Sequence, residues 1–346
     1  MALRWFEGFE SHRNAAQMAR KYASTSGMGA LNSAAGRVSG NSATGQLVMV
    51  TKSLGLNNTW IIGFGLFVPG NFTASTNGIY IEKGATEQVH IGFVNTAGSF
   101  NLTVNRGATV LGTTTDNFAY NVWHYFELKV VCRTGTNGSF ELRQNEVNVL
   151  SASGINTANA GSDGADIWAL RLAANLIVRW DDIYVCDDID LGDGLPNNDF
   201  KGDSQIRGSL PNAAGDVQNF TPGTGVTHHT LVDDPATSSP TDGTDVVHSD
   251  TNGHKELFGF QDLLAVNGNI YGLMLHSQMA MNAAGSRTLK HVYRDLADVE
   301  FNPPNFIVNS TTYTEFQDIM PIDPNTALPW TETDINNAQF GVEVVS

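Results

Sequence analysis

The chain has 346 residues, of which 41% are hydrophobic and 16% are charged, so it has enough apolar residues for packed cores. Its formal net charge is −16, and the imbalance lies in one half. Residues 1–190 carry 13 Lys and Arg against 15 Asp and Glu, whereas residues 191–346 carry 6 against 20. Such an acidic surface repels phosphate backbones, so we expect no nucleic-acid partner. No apolar stretch predicts a membrane span and no leader predicts a signal peptide, so we expect synthesis in the cytoplasm.

The first half of the sequence is dominated by short strand-like runs. An Ala-rich stretch at residues 12–23, bounded by serines, predicts one helix. From residue 46 onward, runs such as "TWIIGFGLFVP", "GIYIEKG", "VHIGFVN" and "FNLTVNRG" follow one another, each bounded by Gly, Asn or Pro. Short runs at this regular spacing indicate a β-sandwich or jelly roll.

The run "VWHYFELKVVCR" alternates as a strand with one buried face should. Its core face is predicted to hold Phe126, Leu128, Val130 and Cys132, and its other face Tyr125, Glu127, Lys129 and Val131. A tight hairpin turn is predicted at Asn145 and Glu146, because Asn tolerates the left-handed conformation. Cys132 and Cys186 are expected to be small buried hydrophobes without a disulfide.

The stretch "RWDDIYVCD" crowds carboxylates around a strand. One interpretation is a charged strand rim, where the chain leaves the core. The other is a calcium site, because oxygen ligands suit Ca²⁺ and the last strand of a jelly roll often lies beside the first. On that hypothesis Asp182 and Glu10 share the ion, and Ca²⁺ is the one cofactor that the sequence suggests.

Two stretches of this half resemble a known family. "NVWHYFELKVV" with "GSFELRQNEVNVL" is similar to the central strands of laminin-G-like and concanavalin-like jelly rolls, and "RWDDIYVCD" resembles their last strand. The resemblance implies such a domain over residues 1–190. The Asp-, Gly- and Pro-rich stretch at residues 188–198 is then predicted to be a linker.

The second half, residues 191–346, is predicted to be a separate acidic β-sandwich. Its longer candidate strands include "NIYGLMLHSQMAMN", "SRTLKHVYRD" and "INNAQFGVEVV", and "HKELFGFQDLLAV" is interpreted as a strand and turn rather than a short helix. The order of "KELFGFQDL", "STTYTEFQDIMPIDPNTALPWTETD" and "AQFGVEV" resembles structural proteins of tailed bacteriophages. That resemblance extends over nearly the whole chain and implies a virion component.

Other kinds of site have weaker signals. Glu141 and Glu146 are five positions apart, which does not place a pair of glycosidase acids on one strand face. The stretch containing His228, His229, Asp233, Asp234, His248, Asp250 and His254 matches no zinc spacing and is interpreted as a solvated acidic loop. No Gly-x-Ser-x-Gly sequence predicts a nucleophile. Sugar-binding proteins use exposed aromatic residues, and the candidates are Trp60, Trp123, Trp168, Trp180 and Trp330.

The sequence therefore predicts an all-β protein with two β-sandwich, jelly-roll domains and one short N-terminal helix. The expected function is that of a non-enzymatic structural component of a bacteriophage virion, with no catalytic residues. It would dock on capsid or tail proteins and form homo-oligomers. The alternative is a carbohydrate-binding, receptor-binding module with a host glycan as partner. A weaker alternative is a polysaccharide-degrading enzyme.

Overall fold

The computed structural model describes residues 3–10, 15–22, 24–26, 31–32, 36–38, 42–44, 48–50, 54–70, 72, 76–171, 178–192, 194–195, 198–225, 227–233, 244–264 and 266–346. The chain divides into two compact units. The first comprises Met1–Leu191 with Pro196–Ile206, and the second comprises Gly192–Leu195 with Arg207–Ser346. The sheets of both units are antiparallel and the helices are short, which confirms the predicted all-β fold class.

The first unit begins with a strand and a seven-residue helix, α1, Ala15–Lys21, within the predicted stretch at residues 12–23. Its strands are β1 Leu3–Glu7, β2 Ser24–Ser26, β3 Leu31–Asn32, β4 Ser42–Thr44, β5 Val48–Val50, β6 Thr59–Phe67, β7 Thr76–Lys83, β8 Thr86–Thr96, β9 Ser99–Arg106, β10 Thr109–Thr113, β11 Phe118–Ala119, β12 Trp123–Val131, β13 Gly138–Gln144, β14 Val147–Ile155, β15 Ile167–Arg171 and β16 Arg179–Asp187.

These strands form two sheets. The first sheet has the order β14-β13-β12-β6-β16-β4-β3, with β1 also paired to β16. The second has the order β10-β9-β8-β7-β15-β5-β2, with β11 paired to β9. The first strand therefore does lie beside the last, as the jelly-roll resemblance implies. The β13–β14 turn is the predicted hairpin, because Asn145 and Glu146 both have positive φ, 45° and 70°.

An aromatic cluster joins the two sheets. Trp180 is fully buried, with its ring centroid 5.4 Å from that of Phe64 on the first sheet and 6.1 Å from that of Phe93 on the second. Gly78 permits this packing, because a Cβ there would lie 2.6 Å from Phe93 and 3.0 Å from Trp180. Burying aromatic rings of this size stabilises the sandwich by a few kcal/mol each.

The predicted core face of β12 is confirmed, since Phe126, Leu128, Val130 and Cys132 are at most 1% exposed. The other face of the strand is not open to solvent as simple alternation suggests. Glu127 is 1% exposed, because residues 198–206, which we call the return segment, lie across the outer face of the first sheet. The backbone N–H groups of Lys201 and Gly202 donate to Glu127 Oε1 over 2.8 and 3.0 Å.

The second unit has its own strands: β17 Pro211–Gln218, β18 Thr221–Pro222, β19 Val247–His248, β20 Lys255–Phe260, β21 Leu273–Met279, β22 Arg287–Arg294, β23 Glu300–Phe301, β24 Phe306–Val308, β25 Thr314–Met320 and β26 Gln339–Val344. A 3₁₀ turn spans His229–Leu231. A sheet runs β17-β20-β26-β22-β23, with β24 paired to β22. The β21-β25 ribbon packs against it, and β18 pairs with β19.

The strand interpretation of "HKELFGFQDLLAV" is confirmed by β20. In addition to the predicted N-terminal helix, a second short helix, α2, spans Glu332–Asn336. Thr331 caps it, accepting from the N–H of Asp334, while Asp334 in turn accepts from the N–H of Thr331. The signal was a capping box with Asp in place of the usual Glu.

The two cysteines are buried and free, as expected. Burial raises the pKa of both thiols to about 12, so neither is a reactive thiolate. No helix within the described ranges is long and apolar enough to cross a membrane. The apolar residues at the start of the chain pack inside the first unit: Leu3, Trp5 and Phe9 are at most 5% exposed.

The return segment gives a testable prediction about the predicted domain boundary at residue 190. That two separately stable domains exist stays a prediction, but we expect the first to need residues up to 206. A chain ending at residue 190 leaves Glu127 without two of its donors, so we expect it to be less stable than a chain ending at 206. The expected difference in unfolding free energy is about 2–4 kcal/mol.

Thermal melts of both chains measure this difference. A chain ending at residue 195 is the matched control, since it adds length without the return segment and should melt with the shorter chain. Equal melting temperatures for chains ending at 190 and 206 would show that the return segment does not stabilise the first unit.

Candidate functional site

The carboxylates of "RWDDIYVCD" lie at an irregularity of β16. The pairing of β16 with β6 shifts register between Asp181 and Tyr184, and Asp182 has a φ of 48°. A residue with a side chain rarely adopts that conformation, which costs about 1 kcal/mol or more. The bulge turns Asp181 and Asp182 into the unit, where they are 1% and 3% exposed. They are therefore not a solvated strand rim.

Asp182 is held by partners on both carboxylate oxygens. Its Oδ1 accepts from the N–H of Ile206 over 2.7 Å, and its Oδ2 accepts from Arg37 Nε over 2.8 Å. The same guanidinium donates to Asp203 and to the carbonyl of Ser204, and it lies 4.7 Å from the centre of the Tyr125 ring. Asp182 thus fastens the return segment to the first sheet through Arg37.

Glu10, the other residue of the calcium hypothesis, lies close to this pair. Burial, followed by the charges of Asp181, Asp182 and Glu7, raises the pKa of Glu10 to about 10. At neutral pH Glu10 is therefore protonated in the folded protein. Glu7 itself is paired, with its Oε2 2.7 Å from Lys21 Nζ.

These residues form an acidic cluster, but their oxygen atoms are not arranged as the ligands of a cation. Ca²⁺ takes 6–8 oxygen ligands, whereas both oxygens of Asp182 already accept hydrogen bonds. Among the described residues, no group of three or more His, Cys, Asp or Glu is placed to hold a metal ion. A calcium ion shared by Glu10 and Asp182 stays a prediction, and it requires Glu10 to lose its proton.

A second polar arrangement lies on the outer face of the second sheet. In the register of β7, β8 and β9, Tyr80 pairs with His90 and His90 pairs with Asn105, so these three side chains share one face. Strand alternation adds three more residues to that face. We call the set the polar floor: Tyr80, Glu82, His90, Asn101, Thr103 and Asn105.

The polar floor is buried, since its six side chains are between 1% and 7% exposed. The rings of Tyr80 and His90 stack with centroids 4.9 Å apart. His90 Nδ1 is 2.5 Å from Glu87 Oε1, and Asn105 Nδ2 donates to Thr103 Oγ1 over 2.8 Å. The floor therefore brings together amide, hydroxyl, phenol and imidazole groups, some of which are fixed in orientation by their neighbours.

Sequence reasoning missed this face, although a signal was present. In "FNLTVNR", Phe100, Leu102 and Val104 alternate with Asn101, Thr103 and Asn105. The apolar set lies in the core at 0% exposure. In the sequence, the polar set has the pattern of an ordinary solvent-exposed strand face. Only the register with β7 and β8 shows that these side chains belong to a larger polar face.

The aromatic residues proposed for sugar contact lie elsewhere. Trp60, Trp180 and Trp330 are core residues at 0–3% exposure, and Trp123 packs against Phe67 with ring centroids 5.6 Å apart. The side chain of Trp168 lies outside the described residues. An exposed rim of tryptophans is thus not the route by which the described part of this chain would contact a glycan.

The other predicted constellations are also dispersed. Glu141 pairs with Arg143 over 2.7 Å, and Glu146 is exposed in the hairpin turn, so they form no acid pair. His228 pairs with Glu256 over 2.6 Å, and His254 contacts Ser249. Asp234 lies outside the described residues, and the rest of the His-rich stretch forms no metal group within the described ranges.

No family model and no curated protein match the sequence. Solved structures that match about half of the chain include endo-β-1,4-glucuronan lyase from the fungus Trichoderma reesei, at 12% identity and TM-score 0.39, covering 53% of this chain and 95% of that one. An alginate lyase matches at 10% identity and TM-score 0.38, covering 54% and 95%. Domain 4 of an extracellular arabinanase from Geobacillus stearothermophilus, solved with arabinotriose, matches at 15% identity and TM-score 0.39, covering 54% and 92%.

These matches correct one prediction. The prediction that the chain is not an enzyme is wrong, because the structures that match it include polysaccharide lyases. At these identities and TM-scores the matches concern the fold, and no substrate or activity follows from them for this chain.

The protonated state of Glu10 gives a pH-dependent prediction. In the unfolded chain Glu10 ionises above about pH 4.5, whereas in the folded protein its pKa is about 10. The contribution of Glu10 to the free energy of unfolding therefore falls as the pH rises from 4.5 towards 10, so the folded state becomes less stable. Glu10→Gln mimics the neutral acid, so we expect it to stabilise the protein by up to about 3 kcal/mol at pH 7 and by almost nothing at pH 4.

Denaturant unfolding of both proteins at pH 4, 7 and 9, in the presence of chelator, measures the effect. Glu146→Gln, in an exposed turn, is the matched control and should show no such trend. A wild-type protein that is more stable than Glu10→Gln at pH 9 would contradict the buried, neutral state of Glu10.

The calcium hypothesis has a separate test. If Glu10 and Asp182 share Ca²⁺, the ion binds the folded state and raises the melting temperature above that measured in chelator. Asp182→Asn should remove this difference. Identical melting curves with millimolar calcium and with chelator would exclude the site.

Proposed function

We propose that the first unit is a carbohydrate-binding module and that the polar floor of its second sheet holds a neutral glycan. The proposal rests on one observation: three adjacent strands place Tyr80, His90, Thr103 and Asn105 together on a face that is polar and yet buried. A face that packs on protein is usually apolar, and a face open to water leaves its polar side chains exposed. A polar face that water does not reach fits a ligand that is itself covered with hydroxyl groups.

The chemistry of the floor supports this choice of ligand. Asn and Thr side chains both donate and accept hydrogen bonds, as sugar hydroxyls do, and each well-formed bond contributes about 0.5–1.5 kcal/mol. An aromatic ring provides the apolar surface that a sugar ring can cover. A few fixed polar groups of this kind are what orients a small ligand in its site.

The charge of the floor selects among glycans. Glu82 lies on the floor and Glu87 contacts His90 at its edge. Two carboxylates disfavour a further negative charge in a buried site. We therefore expect neutral glycans to bind in preference to polyuronates.

Titration calorimetry against a panel of neutral oligosaccharides, with an alginate oligosaccharide as the anionic probe, tests the proposal. Asn105→Ala should weaken binding of the best neutral ligand about tenfold, which corresponds to one buried hydrogen-bonding group. Ser151→Ala, on the first sheet, is the matched control and should bind as the wild type does. Binding that is unaffected by Asn105→Ala, or that favours alginate, would contradict the assignment of the site.

We also propose, from the resemblance of the sequence to structural proteins of tailed bacteriophages, that the chain is a virion component. It would dock on capsid or tail proteins, and a glycan-binding unit would suit contact with a host surface. Synthesis in the bacterial cytoplasm and self-association belong to the same proposal. The two roles are compatible, because a particle protein can also bind a glycan.

Mass spectrometry of purified particles tests the virion role. We expect peptides from both halves of this chain at a stoichiometry comparable to that of other particle proteins. Light scattering of the isolated protein should give a mass above 37.2 kDa if it self-associates. Absence of the chain from particles whose genome encodes it would contradict this role and leave the glycan proposal untouched.

A further inference from the structure

Three polar side chains of the second unit form a chain of hydrogen bonds. Ser277 Oγ lies 2.7 Å from His291 Nε2, and His291 Nδ1 lies 2.6 Å from Asp318 Oδ2. The order is hydroxyl, imidazole and carboxylate, with each contact on a different nitrogen of the ring. That is the connectivity by which a serine hydroxyl is activated in hydrolases on several unrelated folds.

The fold explains why these residues meet. Ser277 on β21 pairs with Phe316 on β25, and Asp318 on β25 pairs with Leu275 on β21. Alternation therefore places Ser277 and Asp318 on the same face of the ribbon. His291 lies on β22 of the facing sheet, between the buried positions Leu289 and Tyr293.

The hydrogen bonds fix the tautomer of His291. An ionised Asp318 can only accept, so Nδ1 carries the proton and donates it to the carboxylate. Nε2 then has a free lone pair and accepts the hydrogen bond from Ser277 Oγ–H. His291 is 2% exposed and packs against Phe306 with ring centroids 4.9 Å apart, so its ring orientation is fixed.

Both ends of this chain of hydrogen bonds are partly exposed. Ser277 and Asp318 are only partly buried, with the Asp318 side chain 19% exposed, whereas His291 between them is buried. Phe316, the cross-strand partner of Ser277, stacks on Phe306 with ring centroids 4.5 Å apart. An apolar surface of this kind beside a hydroxyl suits a short acyl chain.

We propose that Ser277, His291 and Asp318 form an esterase site that cleaves small carboxylic esters. Ser277 Oγ attacks the ester carbonyl carbon as its proton passes to His291 Nε2, and the carbonyl π electrons move to oxygen. When they return, the bond to the alkoxy group breaks, and that group leaves with the proton from Nε2 as an alcohol. Water then attacks the acyl-serine, its proton passes through His291 to Ser277 Oγ, and the carboxylic acid leaves. Asp318 is a positioning residue that holds the tautomer.

The same unit contains a natural comparison. Ser249 Oγ lies 2.9 Å from His254 Nδ1, but no carboxylate is hydrogen-bonded to His254 within the described residues. This pair has the hydroxyl and the imidazole without the third member. It should therefore lack the activated nucleophile, and it is a control for reactivity within one protein.

The experiment uses the full chain and a fluorophosphonate, which reacts with activated serines. Peptide mass spectrometry should find the adduct on Ser277 and none on Ser249. Hydrolysis of p-nitrophenyl acetate should fall roughly 100-fold or more in Ser277→Ala and remain unchanged in Ser249→Ala. Asp318→Asn should lower kcat at least tenfold with KM within about twofold, a separation that a general loss of folded protein would not mimic in active-site-titrated samples.

The labelling and hydrolysis experiments can either support the esterase site or exclude it. An adduct on Ser277 and loss of hydrolysis in Ser277→Ala support the esterase site. No adduct on Ser277 of the folded wild-type protein, or equal hydrolysis by Ser277→Ala, overturns it and assigns the three side chains to packing between ribbon and sheet. The labelling of the wild type needs no substitution, so the test does not depend on whether a variant folds.

Discussion

Two buried carboxylates on the outer face of the first sheet determine how the first unit is completed. An ionised carboxylate loses several kcal/mol when it leaves water, and it is tolerated inside a protein only with donors around it. Glu127 and Asp182 find those donors in the backbone N–H groups of residues 201, 202 and 206. The first unit therefore does not end at its last β-strand. The chain returns across the sheet and supplies these two carboxylates with hydrogen-bond donors.

The return segment accounts for other features of that face. Tyr184 donates to Glu127, and its ring fits over Gly63, where a Cβ would lie 2.1 Å from Tyr184 Cε1. Arg37 bridges Asp182 and Asp203, so a single guanidinium links β16 to the return segment. Burial raises the pKa of Glu127 even with these donors, which shows that the desolvation of this carboxylate is not fully offset. The outer face is thus a second, polar layer of the unit.

Sequence patterns predicted the parts of this fold that depend on neighbours along the chain. Alternation identified the core face of β12, and the Asn145–Glu146 hairpin and the β20 strand were also found. Alternation could not show that Glu127 is buried, because its donors lie 57, 74 and 75 positions away. The polar floor requires the register of three strands. The Ser277, His291 and Asp318 chain joins residues separated by 14 and 27 positions, with no local motif around the serine.

The two units each contain a buried network of polar side chains, and the hydrogen bonds of the two networks are arranged differently. The arrangement in the first unit suits a structural role, and the arrangement in the second suits catalysis. Around Glu127 the hydrogen bonds converge on one acceptor, and its donors are a tyrosine hydroxyl and two peptide N–H groups, none of which can act as a nucleophile at neutral pH. Burial raises the pKa of Tyr184 well above its usual value, which removes it further from reaction. In the second unit the hydrogen bonds run in one direction, from a partly exposed hydroxyl through an imidazole to an acid. The first network sets no nucleophile beside a proton acceptor, whereas the second places an imidazole that can accept a proton next to a hydroxyl that can attack. The direction of these hydrogen bonds and the partly exposed serine, rather than burial or charge density, are what support the proposed esterase site in the second unit.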